Sequence, residues 1–117
     1  MAGNLEMEPS SRNEVVLCGR VAAEAREREL PSGDCIVTGR VIVDRDAQSL
    51  KQSGQRVDTI DCVGWTLRVQ RSMRAWRVGD QVEVKGSIRR RFFRTSGGPV
   101  SRVEVEVKAS KKIRSAA

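Results

Sequence analysis

The stretch GSIRRRFFRTSGG, residues 86–98, sets three consecutive arginines against two phenylalanines and then breaks at a pair of glycines. Guanidinium groups pair with phosphates, and aromatic rings offer flat faces on which bases stack, so the pattern suits single-stranded nucleic acid. The same residue types also occur in membrane-surface anchors and basic targeting segments. Elsewhere the chain offers little chemistry. It has no histidine, so the usual general base is missing, and no Ser or Cys stands beside an activating partner. TSGGP (95–99) lacks the lysine and the following helix that a phosphate-cradling loop needs. The acid pairs Asp44/Asp46 and Asp58/Asp61 read as solvated surface groups. Cys18, Cys35 and Cys62 are too scattered for a zinc site and are expected as buried thiols. Neither catalysis, metal nor cofactor is expected.

Charge sharpens the choice. Residues 1–65 hold 8 Lys/Arg against 11 Asp/Glu, whereas residues 66–117 hold 14 against 4. A basic half on a 117-residue chain with one modest core points to a polyanionic partner. No apolar run approaches the ~20 residues of a membrane span. The polar, acidic opening MAGNLEMEPSSRNE is no secretory signal, so a cytoplasmic location is expected.

The elements that must position these residues follow from periodicity. Residues 1–12 are expected as a disordered tail, 13–109 as the folded domain and 110–117 as a basic tail. EVVLCGRVA (14–22) reads as a strand, EAREREL as a charged connection and PSGD (31–34) as a turn. CIVTGRVIVDR (35–45) and RVDTIDCVGW (56–65) are the second and third strands, separated by a polar loop, DAQSLKQSGQ (46–55). TLRVQRSMRAW spaces Leu67, Val69, Met73 and Trp76 as a short helix would. QVEVKGSIRRRFF and SRVEVEVKA are alternating strands joined by a hairpin turn at RTSGGP. Three strands, a helix and two strands is the element order of an OB-fold, a five-stranded Greek-key barrel, all-β with one short helix.

Parity then divides the opening stretch. Val82, Val84, Gly86 and Ile88 fall inward, and Phe92 goes with them. Ser87, Arg89, Arg91 and Phe93 face outward, and Arg94 enters the hairpin. Trp65 lies on the Thr59 face of its strand, Arg40 faces outward beside Thr38, and Trp76 belongs to the core. Arg68, Arg71 and Arg74 read as a solvated helix face. A membrane anchor would need a wider apolar face, and a targeting segment would need no alternation. A groove for single-stranded nucleic acid is the favoured reading. A degenerate OB module that docks an acidic protein, or an RNA-binding OB protein, remains an alternative.

With these residues in hand, the chain resembles the bacterial single-stranded DNA-binding (SSB) family over roughly 13–109. NEVVLCGRV is similar to its opening strand, LPSGDCIVTGRVIV to its second, IDCVGW to its third, and WRVGDQVEVKGSIRRRFFRTSGG to its helix end, turn and hairpin strand. PSGD, VDTIDC and RRRF are especially like the small SSB-like proteins of actinobacteria. The resemblance implies base stacking on Trp65 and Phe93, with Asn13, Arg40, Arg89 and Arg91 lining the same groove. It also implies a homo-oligomer, a tetramer or dimer, with roles in replication, repair or recombination. Three departures stand out. Gly39 replaces an aromatic or branched residue and is expected to weaken the core, Thr59 replaces a groove aromatic, and Asp61 brings negative charge. The sequence ends in KASKKIRSAA, so recruitment of partners through the family's acidic tip is not expected.

Overall fold

The computed structural model describes residues 10–116; most of the expected N-terminal tail therefore lies outside the described residues. Seven elements follow in order: β1 Val15–Glu29, β2 Cys35–Asp44, α1 Ala47–Ser53, β3 Val57–Gly64, α2 Leu67–Arg74, β4 Gln81–Thr95 and β5 Gly98–Arg114. The strands close into a barrel in the order β1-β2-β3-β5-β4, with β4 returning to β1. All pairings are antiparallel except the short β3–β5 contact. This is the OB-fold expected from the element order.

The core is mostly valine because alternating β-branched residues point one row of side chains into a narrow barrel. Val21, Val37, Val41, Cys62, Val82, Val84, Val105 and Val107 fill it, and α2 closes one end with Val69 and Met73, joined by Trp76 just past the helix. Burial pushes the Cys62 thiol up to about 12, with the Asp61 and Glu104 charges adding to the effect. Cys18 and Cys35 are exposed, so only one of the three thiols is buried as expected.

Gly39 leaves no gap. A Cβ there would lie 2.9 Å from Cζ3 of Trp76, so the indole packs directly on the β2 backbone. The missing side chain is what admits the tryptophan, so the space a larger residue would take is filled by the indole.

Four segments depart from the sequence reading. EAREREL is not a connection: β1 runs through it and pairs with β2 as far as Glu29↔Cys35. Its side chains are mostly exposed on both faces, so no alternation betrays it. The polar loop at 46–55 contains α1, which is too short to show an apolar stripe. Arg45 braces its ends, reaching Asp58 with Nε and Nη2 at 3.0 and 2.8 Å and Ser53 with Nη1 at 3.0 Å.

The basic C-terminal stretch is the third departure, since β5 continues to Arg114. Lys112 Nζ lies 3.0 Å from the buried Asp80 carboxylate, which also accepts from the Ala116 and Arg77 amides. The Ala116 amide, ahead of Lys112 and Arg77, holds the Asp80 carboxyl below the usual carboxylate range.

The fourth concerns Ile88 and Phe92, expected inside the barrel. Both are exposed, because beyond residue 87 the β4–β5 pair runs on past the barrel. Ser87, expected outside, is buried and donates to the Asn13 carbonyl at 3.0 Å.

Candidate nucleic-acid interface

Register brings the arginines and aromatics of the opening stretch to one face. The pairs Arg89↔Glu104, Arg91↔Arg102 and Phe93↔Val100 are direct cross-strand neighbours, so these six side chains leave the ribbon on the same side. The turn itself is tight, with Gly98 at φ 113° allowing the two strands to meet.

Trp65 reaches this face from the end of β3. Thr66 caps α2 by accepting from the Val69 amide. Gln70, one turn into the helix and buried, donates from Nε2 to the carbonyls of Cys35, Gly64 and Trp65 at 3.0, 3.1 and 3.3 Å. The helix thereby fixes the backbone on which the indole stands. Trp65 and Phe93 are each 41% exposed, an unusual state for large rings in a domain with so few.

A depression of about 310 Å³ is lined by Trp65, Arg89, Arg90, Arg91, Glu104 and Glu106. A second, of about 470 Å³, includes Arg26, Arg28, Arg40, Asp61 and Arg102 in its walls. The cross-strand partners Arg91 and Arg102 thus stand one in each. Like charges directly opposite each other cost stability in a bare protein, and an anion between them would remove that cost. Arg102 also lies over the Phe93 ring, 5.6 Å from its centroid.

The electrostatics are less simply basic than the composition indicates. Arg40 Nε pairs with Asp61 at 3.0 Å, Arg89 Nε with Glu106 at 2.8 Å, and Arg91 Nη1 lies 3.6 Å from Glu104. Glu104 is buried, and desolvation raises its carboxyl above the ordinary value while Arg91 and Arg102 pull it back. Arg40 and Arg89 make these contacts through Nε, which leaves the Nη groups outside them. Such groups form the fork that grips phosphate in bidentate fashion.

These pairs carry a prediction. Unit charges about 6 Å apart in water interact by ~0.7 kcal/mol, about a factor of three in affinity. Replacing Glu106 with Gln is therefore expected to tighten oligo-dT binding about threefold at low salt, with the gain shrinking as salt rises. Fluorescence anisotropy checks this; a weakened complex would mean that holding Arg89 in place matters more than the charge.

The other expected site residues are placed as follows. The Asn13 side chain is spent on the backbone of Ile88, donating to its carbonyl at 2.7 Å and accepting from its amide at 2.8 Å. It prolongs the β1–β4 pairing beside the groove. Arg94 sits at the exposed hairpin tip, opposite Pro99 and away from Trp65. Thr59 is exposed on β3, opposite Ile42. Sequence reading missed Arg102, Glu104 and Glu106. Counting residue pairs back from the glycine turn sets Arg102 opposite Arg91 and supplies the signal for it.

Comparison with known proteins agrees with this architecture. Residues 12–114 match the Single-strand binding protein family. Single-stranded DNA-binding protein 1 of Streptococcus agalactiae serotype III (strain NEM316) is 32% identical over 87 residues, 74% of this chain and 52% of the relative. Single-stranded DNA-binding protein 3 of Streptococcus agalactiae serotype V is 31% identical over 87 residues, 62% of its length. The chain therefore spans little more than half the length of the curated relatives it matches. Among solved structures, a Plasmodium falciparum SSB in complex with ssDNA superposes with a TM-score of 0.70. That match covers 92% of this chain and 98% of the other at 22% identity, a likeness of fold. The match across nearly the whole described barrel carries the conclusion: the chain belongs to the Single-strand binding protein family.

Proposed function

We propose that the chain binds single-stranded DNA without sequence preference and without a catalytic step. Bases stack on Trp65 and Phe93, and phosphates pair with Arg40, Arg89, Arg91 and Arg102. The observation that carries this reading is the gathering of an exposed Trp65 with Arg89 and Arg91 in one depression. Phe93 extends the same face two residues further on. Rings tolerate any base, and a cationic groove tracks the backbone. Membership of the family and the names of the curated relatives support it. Asn13 has a supporting role, holding β4 in register, and Arg94 meets the strand only as it leaves the groove.

The protein acts in the cytoplasm as a homo-oligomer, in DNA replication, repair or recombination, and is of the small actinobacterial type. PSGD, VDTIDC and RRRF favour that type. Oligomerisation is supported by β1: Val15–Gly19 pairs with β4 on one side and with no strand on the other among the described residues. Val16 is exposed there. An unpaired edge of this kind is a template for a second copy. Among the described residues no helix is long and apolar enough to cross a membrane.

The ion-paired arginines favour a second reading, a degenerate barrel that docks an acidic protein. A competition experiment separates the two. Labelled oligo-dT is displaced by unlabelled single-stranded DNA, duplex or RNA of equal length in rising salt. Affinity for single strands falls by about 0.7 log units per log unit of salt for each phosphate neutralised. Four groove arginines give a slope of about −3. Single-stranded DNA should compete best; absence of binding at low salt, or equal competition by duplex, overturns the reading.

A further inference from the structure

The arginine-phenylalanine stretch has a second face, of which the Trp65 depression touches only Arg90. β1 pairs with β4 no further than Gly86, and β3 meets β5 only at Cys62↔Val105 and Val63↔Glu106. From Arg89↔Glu104 out to Thr95↔Gly98, β4 and β5 are therefore a two-stranded ribbon paired only with each other among the described residues. Its far side carries Arg90, Phe92 and Arg94 opposite Val103, Ser101 and Pro99. Phe92 is 76% exposed, more than either Trp65 or Phe93, and Ile88 and Val103 are exposed beside it.

This far face contains no carboxylate. The groove face offsets its arginines with Glu104 and Glu106, whereas here Arg90 donates to the Ser101 hydroxyl at 3.1 Å and makes no ion pair among the described residues. Arg94 makes no ion pair among the described residues. An exposed apolar patch on a soluble domain marks a contact surface, and the charge selects the occupant. A second copy of the chain would bring Arg90 and Arg94 against themselves. A polyanion with planar apolar groups would satisfy both the ring and the guanidinium groups.

We propose that Phe92, flanked by Arg90 and Arg94, is a second stacking site for the same single strand, which turns over the hairpin and is held on both sides. This rests on the single-strand reading above. A short strand fills the groove alone, and a long one also reaches the far face.

The test uses the full chain with an oligo-dT of about 8 nucleotides, within the span of one OB barrel, and one of about 24. Phe92→Ala should leave the short complex within twofold of wild type and weaken the long one about five- to tenfold. Phe93→Ala should weaken both. A second variant, Arg90→Gln with Arg94→Gln, keeps the apolar residues and should flatten the salt dependence of the long complex more than that of the short one, because Arg90 also borders the Trp65 depression. The inference is overturned if Phe92→Ala and the double variant bind both lengths as wild type does. It is equally overturned if Phe92→Ala lowers the molar mass in light scattering, which would make the face a contact between copies. Failure of the wild-type protein to bind the short oligonucleotide would instead overturn the groove reading, and this one with it.

Discussion

Phe93→Ala is expected to weaken oligo-dT binding by about 1–3 kcal/mol, roughly 5- to 150-fold, which is the worth of one stacked base. Stability should hardly change. The ring is 41% exposed on a ribbon that has left the barrel, and its recorded ring contact is the Arg102 guanidinium. Truncation there opens no cavity, so the cost falls on binding. Removing the ring also frees Arg102, which remains available to phosphate and limits the loss to the stacking itself. Anisotropy titrations beside thermal melts separate the two effects. A variant that melts earlier but binds normally would make Phe93 a brace for the ribbon.

The opposite profile is expected for Trp76→Ala, which should cost about 3–5 kcal/mol of folding stability. Trp76 is 2% exposed and packs on Gly39 and the core cluster. β2 offers no Cβ at residue 39 to help refill that volume. Against a typical total of about 5–15 kcal/mol for a small domain, the loss is a third or more of the stability at all but the top of that range. Trp76→Phe should cost clearly less: it keeps most of the apolar contact and deletes an indole N–H that is buried without a protein partner. Urea unfolding of both variants checks the order. A cost below about 1 kcal/mol for Trp76→Ala would contradict the role given to Gly39.

How much of this was legible in the sequence varies by segment, for a physical reason. Strands with one face in the barrel and one in water alternate, and Val105-Glu106-Val107 in β5 or Val37-Gly39-Val41 in β2 could be read directly, whereas Val103 is exposed and Glu104 buried where β5 leaves the barrel. The outer part of β1 is wet on both faces and so carries no period. α1 has seven residues, fewer than an apolar stripe needs to declare itself. The C-terminal end of β5 reads as a solvated basic tail, since it is held by ion pairs to Asp80 and Glu83 that lie about thirty residues away. Strand parity correctly grouped Phe92 with Ile88 and Phe93 with Arg91, but parity says which side a residue takes and not where the barrel stops. The acids under the groove arginines were hidden for a related reason. Arg40 and Asp61, or Arg89 and Glu106, become neighbours only once register across strands is known.

The most direct measurement uses the two tryptophans. Trp65 is exposed on the groove and Trp76 is buried in the core, so stacking of a base can reach only one of them. Titrating oligo-dT at low salt should quench the tryptophan emission to saturation, and added salt should reverse the quenching. Trp65→Phe should abolish the signal while anisotropy of a labelled strand still reports binding. No quenching at low salt would contradict the account, and so would quenching that survives in Trp65→Phe.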